Sequence, residues 1–474
     1  MNRRDFVRMT GLGMLAAGMP RLGWAAGEPD EGTSTKISKK PNILFIMTDQ
    51  QHAGMLSCAG NPYVKTPAMD SLAANGIRFE RAYCANPVCV PSRFSMMSGI
   101  MPSRIGLEGN KEGAEFPPEI LEHCMGNVFK KAGYQTVYGG KLHTPMRLGE
   151  LGFDEMKGAA DCGRGLAAAA EKFLRQPHDR PFLLVVSFIN PHDICFMAID
   201  SYDQRDRQSV TYRAEALSRA LELPAGMSRE EFFARVCPPL PANYEPQEGE
   251  PKAVLDPDRR AFRVHARANW TDEQWRMHRW AYARLTERVD SEIGLVLAAL
   301  REAGLEENTL VVFTSDHGDM DASHRLEHKS VLYEESARVP MLVSWKGVTQ
   351  AGGVDRTHLV STGLDLIPTM CDFAGVPAPA ALKGRSLRAL AEGRGPASWR
   401  DTLVVESGGA RMLRSARYKY VVYKNKEEQL MDLEADPGEM RNLAGDAKFE
   451  PVLAEHRRLL KEWYRDNGET WSPK

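Results

Sequence analysis

The chain has 474 residues, 43% hydrophobic and 26% charged, an ordinary composition for a globular protein with room for more than one domain. Its formal net charge of -2 excludes a global electrostatic attraction to nucleic acid or to an anionic membrane surface, so any anion must be recognised locally. There is no internal repeat and no low-complexity tract.

At the start, Asn2-Arg3-Arg4-Asp5-Phe6-Val7 precedes an apolar run from Met9 to Met19, and Gly23-Trp24-Ala25 offers a small-x-small cleavage site. Residues 1–26 therefore read as a twin-arginine-like signal peptide. The apolar run is too short and glycine-rich to span a bilayer, and no later segment is long and apolar enough. The expectation is a periplasmic or secreted protein without a membrane anchor, folded before export. Residues 27–40, polar and rich in Gly, Ser, Thr and Lys, read as a linker. The 8 cysteines are scattered and match neither a metal ribbon nor a disulfide framework.

Asn42 to Thr48 is a mostly apolar run ending at Asp49, the signature of a central strand buried on both faces. The same pattern returns at Phe182–Phe188 and Thr309–Thr314, with a shorter candidate at Met341–Trp345. Between them, Thr271-x-x-Gln274 forms a capping box that opens a helix with Tyr282, Leu285, Val289, Ile293, Val296 and Leu300 on one face. Buried strands alternating with helices predict an α/β doubly wound sheet, in which ligands sit beyond the carboxyl ends of the strands. Asp49 and Asp316 both stand at such ends. Residues 41–375 read as one α/β domain, within which the charged stretch 196–270, containing Pro238-Pro239, reads as an insertion over the mouth of the site. Residues 376–474, with a strand at Tyr418–Tyr423 and a helix from Glu450 to Tyr464, read as a small α+β domain.

The sharpest local feature is Cys89-Val90-Pro91-Ser92-Arg93, which resembles the modification motif of the formylglycine-dependent type I sulfatases of the alkaline phosphatase superfamily. The resemblance runs over nearly the whole mature chain. It implies an alkaline-phosphatase-like doubly wound mixed sheet with a smaller C-terminal α+β domain. It further implies that a formylglycine-generating maturation enzyme oxidises Cys89 to an aldehyde, whose hydrate attacks sulfur and then expels sulfate. Arg93 would hold that hydrate by charge-assisted hydrogen bonds. Thr48-Asp49-Gln50-Gln51 and Ser315-Asp316-His317-Gly318 look like the family's two metal loops. Two aspartates and an amide suit Ca2+, whereas Gln50 in place of a second Asp and His317 in place of Asn leave other divalent metals open. Asp316 could also act as the base that starts the attack.

In the same way, Gly140-Lys141-Leu142-His143 resembles the family's Gly-Lys-x-His element, Lys141 binding sulfate and His143 taking the proton that releases it. Asn190-Pro191-His192-Asp193 resembles the Pro-His element, with His192 as general acid, and Lys329 resembles the second sulfate-binding lysine. His324 and His328 are candidates either for substrate contact or for capping a loop, and His52, Arg104 and Asn110 for weaker substrate contacts. Asp365, Pro368 and Thr369, and the stretch from Met431 through Glu439 to Asn442-Leu443, resemble family elements that turn and pack rather than catalyse. The expected reaction is hydrolysis of a sulfate monoester to an alcohol and inorganic sulfate, on a sulfated carbohydrate. Two rivals remain at this stage. One is a phosphonate or phosphate monoester hydrolase of the same superfamily, which Gln50 and His317 suggest; the other is an inactive glycan-binding relative.

Overall fold

The computed structural model describes residues 40–110, 116–159, 165–203, 212–255 and 257–467. The signal peptide, and the linker up to Lys39, lie outside the described residues. The strand Asn42–Asp49 is buried at every position. It pairs in parallel with Phe182–Pro191 on one side and Thr309–Ser315 on the other, Ile43 standing opposite both Leu183 and Leu310. The full sheet has eight strands in the order Asp154–Glu155, Gln135–Gly140, Phe182–Pro191, Asn42–Asp49, Thr309–Ser315, Met341–Ser344, Gly76–Phe79 and Gly353–Asp355. Met341–Ser344 runs antiparallel to both of its neighbours, so the sheet is mixed, as the family resemblance implied. Gln135–Gly140 is a sheet member that the apolar pattern does not announce, because its run is short and ends in two glycines.

Side chains alternate across the central strand. Ile43, Phe45 and Met47 join a core with Val90 and Phe94 of the helix Cys89–Ser98 and with Leu366 and Met370 of the helix Leu366–Ala374. Leu44 and Ile46 face the opposite way, toward Val289, Ile293, Val296 and Leu300 of the long helix Asp272–Glu302. Each such side chain contributes roughly 1.5–3 kcal/mol by leaving water, and helices on both faces explain why the strand carries no polar stripe.

The long helix begins with both halves of the capping box in place. Gln274 N–H donates to Thr271 Oγ1 at 3.3 Å and Thr271 N–H donates to Gln274 Oε1 at 2.8 Å. Thr271→Ala is expected to lower unfolding free energy by about 1 kcal/mol, read as a urea-midpoint shift with catalytic constants unchanged.

Leu403–Ser407, Ala410–Arg414, Tyr418–Tyr423 and Glu428–Asp432 form a four-stranded antiparallel meander. One face takes the helix Glu450–Asp466 through Leu453, Leu460 and Tyr464. The other packs Val405, Met412, Val421 and Met431 against Tyr83, Met320 and Leu332. The segment 196–270 holds helices at Tyr212–Ala220, Arg229–Arg235 and Pro257–Asn269, and no strand among the described residues. Seven described cysteines are free, six of them buried. No helix among the described residues is long and apolar enough to cross a membrane.

Candidate active site

Four adjacent parallel strands discharge their carboxyl ends into one place. Asp49 closes the central strand, Asp316 and His317 follow Ser315, His192 follows Pro191, and Lys141 follows Gly140. Gly140 has φ 88° and a Cβ there would stand 2.1 Å from the Ser187 carbonyl oxygen, so only glycine lets the chain turn Lys141 inward. Gly318 is needed for a similar reason, since its Cβ would meet the Glu335 carbonyl at 1.9 Å.

Cys89 is the first residue of its helix and is 1% exposed. Its helix lacks a side-chain cap of its own, and Asn110 supplies one from a distant loop: Asn110 Oδ1 accepts from Val90 N–H at 3.1 Å. Around Sγ stand Lys329 Nζ at 2.8 Å, His317 Nε2 at 3.2 Å, Lys141 Nζ at 3.7 Å and Asp49 Oδ1 at 3.7 Å. Burial and Asp49 act to raise the thiol, but Lys141, Lys329 and His317 outweigh them and hold it well below the usual range. The position is therefore built for negative charge.

Arg93, one helical turn on, is fully buried. Its Nε donates to Asp316 Oδ2 at 2.8 Å and its Nη2 to Asp49 Oδ2 at 2.9 Å; Nη1 serves the Lys141 carbonyl and Ser187 Oγ. Arg93, expected to hold the hydrate of the modified Cys89, is engaged here with the two aspartates, the Lys141 carbonyl and Ser187. It bridges the two aspartates, positioning them, because two buried carboxylates this close need a shared counter-charge. Burial raises Asp49, yet Lys141, His192, Arg93 and Lys329 bring it well below the usual carboxylate range; Asp316 is raised by burial and by Asp49.

Ligating atoms of Asp49, Cys89, Asp316 and His317 all lie within 4.8 Å of one another. The Gly318 carbonyl can only accept, so His317 Nδ1 donates to it at 2.9 Å; Lys329 can only donate, so His317 Nε2 accepts at 3.1 Å. The lone pair of Nε2 is thereby presented to the cluster. Gln50, held at φ 68°, donates from Nε2 to Asp319 Oδ2 at 2.7 Å, which leaves its Oε1 buried without a hydrogen-bond partner among the described residues. Two carboxylates, an imidazole nitrogen and an orphaned amide oxygen fit a divalent cation.

His192 senses the charges of Lys141, Asp49 and Lys329, and its Nδ1 lies 3.9 Å from Cys195 Sγ. Burial acts to lower its pKa, but Cys195 and Asp49 prevail and raise it well above the ordinary histidine value. His143 stands two residues beyond Lys141 with φ 41° and a buried Nδ1 that has no hydrogen-bond partner among the described residues. His328 lies beside Gln50, its Nδ1 3.5 Å from Gln50 Nε2 and its ring edge-on to Phe262. The structure places the remaining candidates as follows. His324 stacks on Tyr333 at 4.1 Å; His52 accepts from Gly54 N–H and faces Asp321; Arg104 donates to the Asn467 carbonyl at an exposed surface. Among the described residues, these contacts run to groups other than Cys89.

Sequence reasoning missed Asp319, which orients Gln50 and accepts from His328 N–H at 3.1 Å. It also missed Arg263, whose guanidinium donates to the Lys329 carbonyl. Asp321, Ala322, His324, Arg325, His328 and Ser330 all have positive φ, so the loop carrying Lys329 is held in a strained path by these contacts. The one sequence signal was the spacing of acids after Asp316.

Comparison with known proteins agrees with this geometry. The sulfatase family profile matches residues 41–376, and that of the C-terminal region of N-sulphoglucosamine sulphohydrolase matches residues 322–466. A Delta 4,5-hexuronate-2-O-sulfatase of Bacteroides thetaiotaomicron is 29% identical, the match covering 91% of this chain and 90% of that protein. An ulvan-active sulfatase of Formosa agariphila is also 29% identical, over 91% and 82%. The solved structure of a 2-O GAG sulfatase superposes with TM-score 0.77 at 28% identity, covering 91% of this chain and 93% of that one. A phosphonate monoester hydrolase of Agrobacterium radiobacter shares the fold, with TM-score 0.71 at 21% identity over 90% and 96%. The family profile covers most of the chain and the relatives are named as sulfatases: the chain belongs to the sulfatase family and is a sulfuric ester hydrolase.

Proposed function

We propose that the protein removes sulfate from sulfated saccharides outside the cytoplasm, using formylglycine made from Cys89 by a maturation enzyme and a divalent cation such as Ca2+. The observation that carries this reading is the convergence of two lysines and the metal-competent cluster on Cys89 Sγ. Asp49, Gln50, Asp316 and His317 would hold the cation, which when bound withdraws charge from sulfate oxygens and polarises the nucleophile.

The chain's own residues account for the rest. Lys141 and Lys329 neutralise an anion held beside residue 89, in a buried setting where their charge is weakly screened. The amino end of the Cys89 helix adds its partial positive charge. Arg93 bridges both aspartates and orients them. His192, whose Nδ1 side is occupied by Cys195 and Asp193, has Nε2 left to protonate the departing alcohol oxygen. His143, partly exposed beside Lys141, is the candidate to take the proton that releases sulfate. Saccharides are favoured as substrates because the relatives are named for hexuronate, ulvan and N-acetylglucosamine sulfates. Export rests on the twin-arginine-like pattern at Arg3-Arg4.

Peptide mass spectrometry across Cys89, on protein co-produced with a formylglycine-generating enzyme, is expected to find a loss of about 18 Da, thiol replaced by aldehyde. Sulfate release from sulfated sugars should accompany it and be abolished by a chelator. An unmodified thiol with no sulfate release would refute the mechanism. Faster turnover of a phosphonate monoester than of every sulfate ester would instead move the assignment to phosphonate hydrolysis.

A further inference from the structure

Asp319 is fully buried and stands two residues beyond His317. It does not belong to the group of four whose ligating atoms lie within 4.8 Å of one another, so it is not placed as a cation ligand itself. Among the described residues its one ion-pair partner is His278, whose Nε2 lies 3.9 Å from Oδ1. A buried carboxylate without a lysine or arginine beside it is costly unless hydrogen bonds satisfy it, and here N–H donors do so. The Asp321 N–H donates to Oδ1 at 2.8 Å and the His328 N–H donates to Oδ2 at 3.1 Å.

Those two donors decide what Asp319 presents to Gln50. A backbone N–H can only donate, so both carboxyl oxygens act as acceptors. The Gln50 amide has a donor end and an acceptor end of nearly the same shape. Against Asp319 only the donor end forms a bond: Nε2 donates to Oδ2 at 2.7 Å, whereas the reversed amide would set two acceptors against each other in a buried place. The Gln50 backbone is pinned as well. Its N–H donates to Asp316 Oδ1 at 3.1 Å and its carbonyl accepts from the Tyr282 hydroxyl at 2.6 Å. With the backbone fixed and one end of the amide taken, Oε1 is left buried without a hydrogen-bond partner among the described residues. A buried oxygen in that state is costly, and a hard cation relieves it.

We propose that Asp319 is a positioning residue of the cation site: it fixes the Gln50 amide with its oxygen free for the cation, and so sets cation affinity without touching the ion. The proposal rests on the cation reading above and adds a residue outside the ligand set on which binding depends. Because Asp319 also anchors the N–H of His328, the residue before Lys329, one carboxylate ties the amide to the loop that carries the anion-binding lysine.

The test is calorimetric titration of the unmodified Cys89 protein with Ca2+, then with Mg2+ and Mn2+, so that binding is read without turnover. Wild type is expected to bind at least one of them, and Asp319→Asn to weaken that affinity by about tenfold or more, the usual scale for a group that orients a metal ligand. In Gln50→Ala, where no amide remains to be oriented, adding Asp319→Asn should change affinity by less than about twofold. Equal losses in both backgrounds would mean that Asp319 acts through its charge alone, and a loss below about threefold that it does not set affinity; either overturns the proposal. Unchanged affinity in Gln50→Ala overturns it too, since the amide would then be no ligand. Thermal midpoints without added cation show whether each variant is folded. Should Asp319→Asn fail to fold, Gln50→Glu/Asp319→Asn restores the contact with donor and acceptor exchanged. Binding by that pair as tight as wild type or tighter supports the proposal, and binding about tenfold weaker overturns it. A wild type that binds none of the three ions overturns the cation reading as well.

Discussion

Cys89→Ala is expected to reduce kcat for sulfate-ester hydrolysis by at least about 10³-fold, because on the proposed mechanism alanine cannot be converted to formylglycine and no substitute nucleophile remains. The geometry gives the reason. Lys329, Lys141, His317 and Asp49 all lie within 3.7 Å of Sγ, so the electrostatic machinery is trained on one atom. The substitution removes only sulfur from a helix that Asn110 and Ser92 continue to anchor; Ser92 Oγ donates to the Asp316 carbonyl at 2.5 Å. Thermal midpoint and divalent-cation binding should therefore stay near wild type while steady-state turnover disappears. Retention of a tenth or more of the activity would place the nucleophile elsewhere.

Lys419→Met is expected to be the most damaging single change to stability, at about 3–5 kcal/mol, the range for removing one partner of a buried ion pair. Lys419 is fully buried on the strand Tyr418–Tyr423, and its Nζ lies 2.8 Å from Glu334, 2.6 Å from Glu439 and 3.0 Å from the Leu332 carbonyl. One cation thus ties the meander to the segment that follows Lys329. Burial raises Glu334, but Lys419, Arg338 and Arg414 bring it down to about 2; burial pushes Glu439 up to about 7. Between pH 4.5 and 7 the folded state binds more protons at Glu439 than the unfolded state does, so this residue makes stability fall as pH rises. Glu334 has the opposite sign: its contribution is present above pH 4.5 and lost as pH falls toward 2. Urea unfolding across that range should show the decline from Glu439 flattened in Glu439→Gln. An unchanged slope, or a loss below 1 kcal/mol in Lys419→Met, would mean that the network carries little of the stability.

The amino-acid sequence by itself determined the parts of this protein that are local or periodic. The strands Asn42–Asp49, Phe182–Pro191 and Thr309–Ser315 were legible because burial on both faces demands unbroken apolar runs, and the capped helix because its box and its one-sided spacing need no distant partner. Cys89, Asp49 and Asp316 were legible because short motifs and strand ends carry them, and the family profile spans the same residues. What only the tertiary structure decided is everything that depends on residues meeting across large separations. Arg93 reaches Asp316 over 223 positions and Gln50 reaches Asp319 over 269, so neither the bridging role of the arginine nor the orientation of the amide could be read from spacing. Gln135–Gly140 joined the sheet on the strength of its neighbours rather than its own pattern. The neighbours of His52, His324 and Arg104, which the sequence offers as substrate contacts, were set by folding alone: Asp321, Tyr333 and the Asn467 carbonyl. The charged stretch 196–270 is the clearest case: its composition marks it as polar, and packing alone brings Arg260 and Arg263 to the wall of a cavity that Val88 also lines.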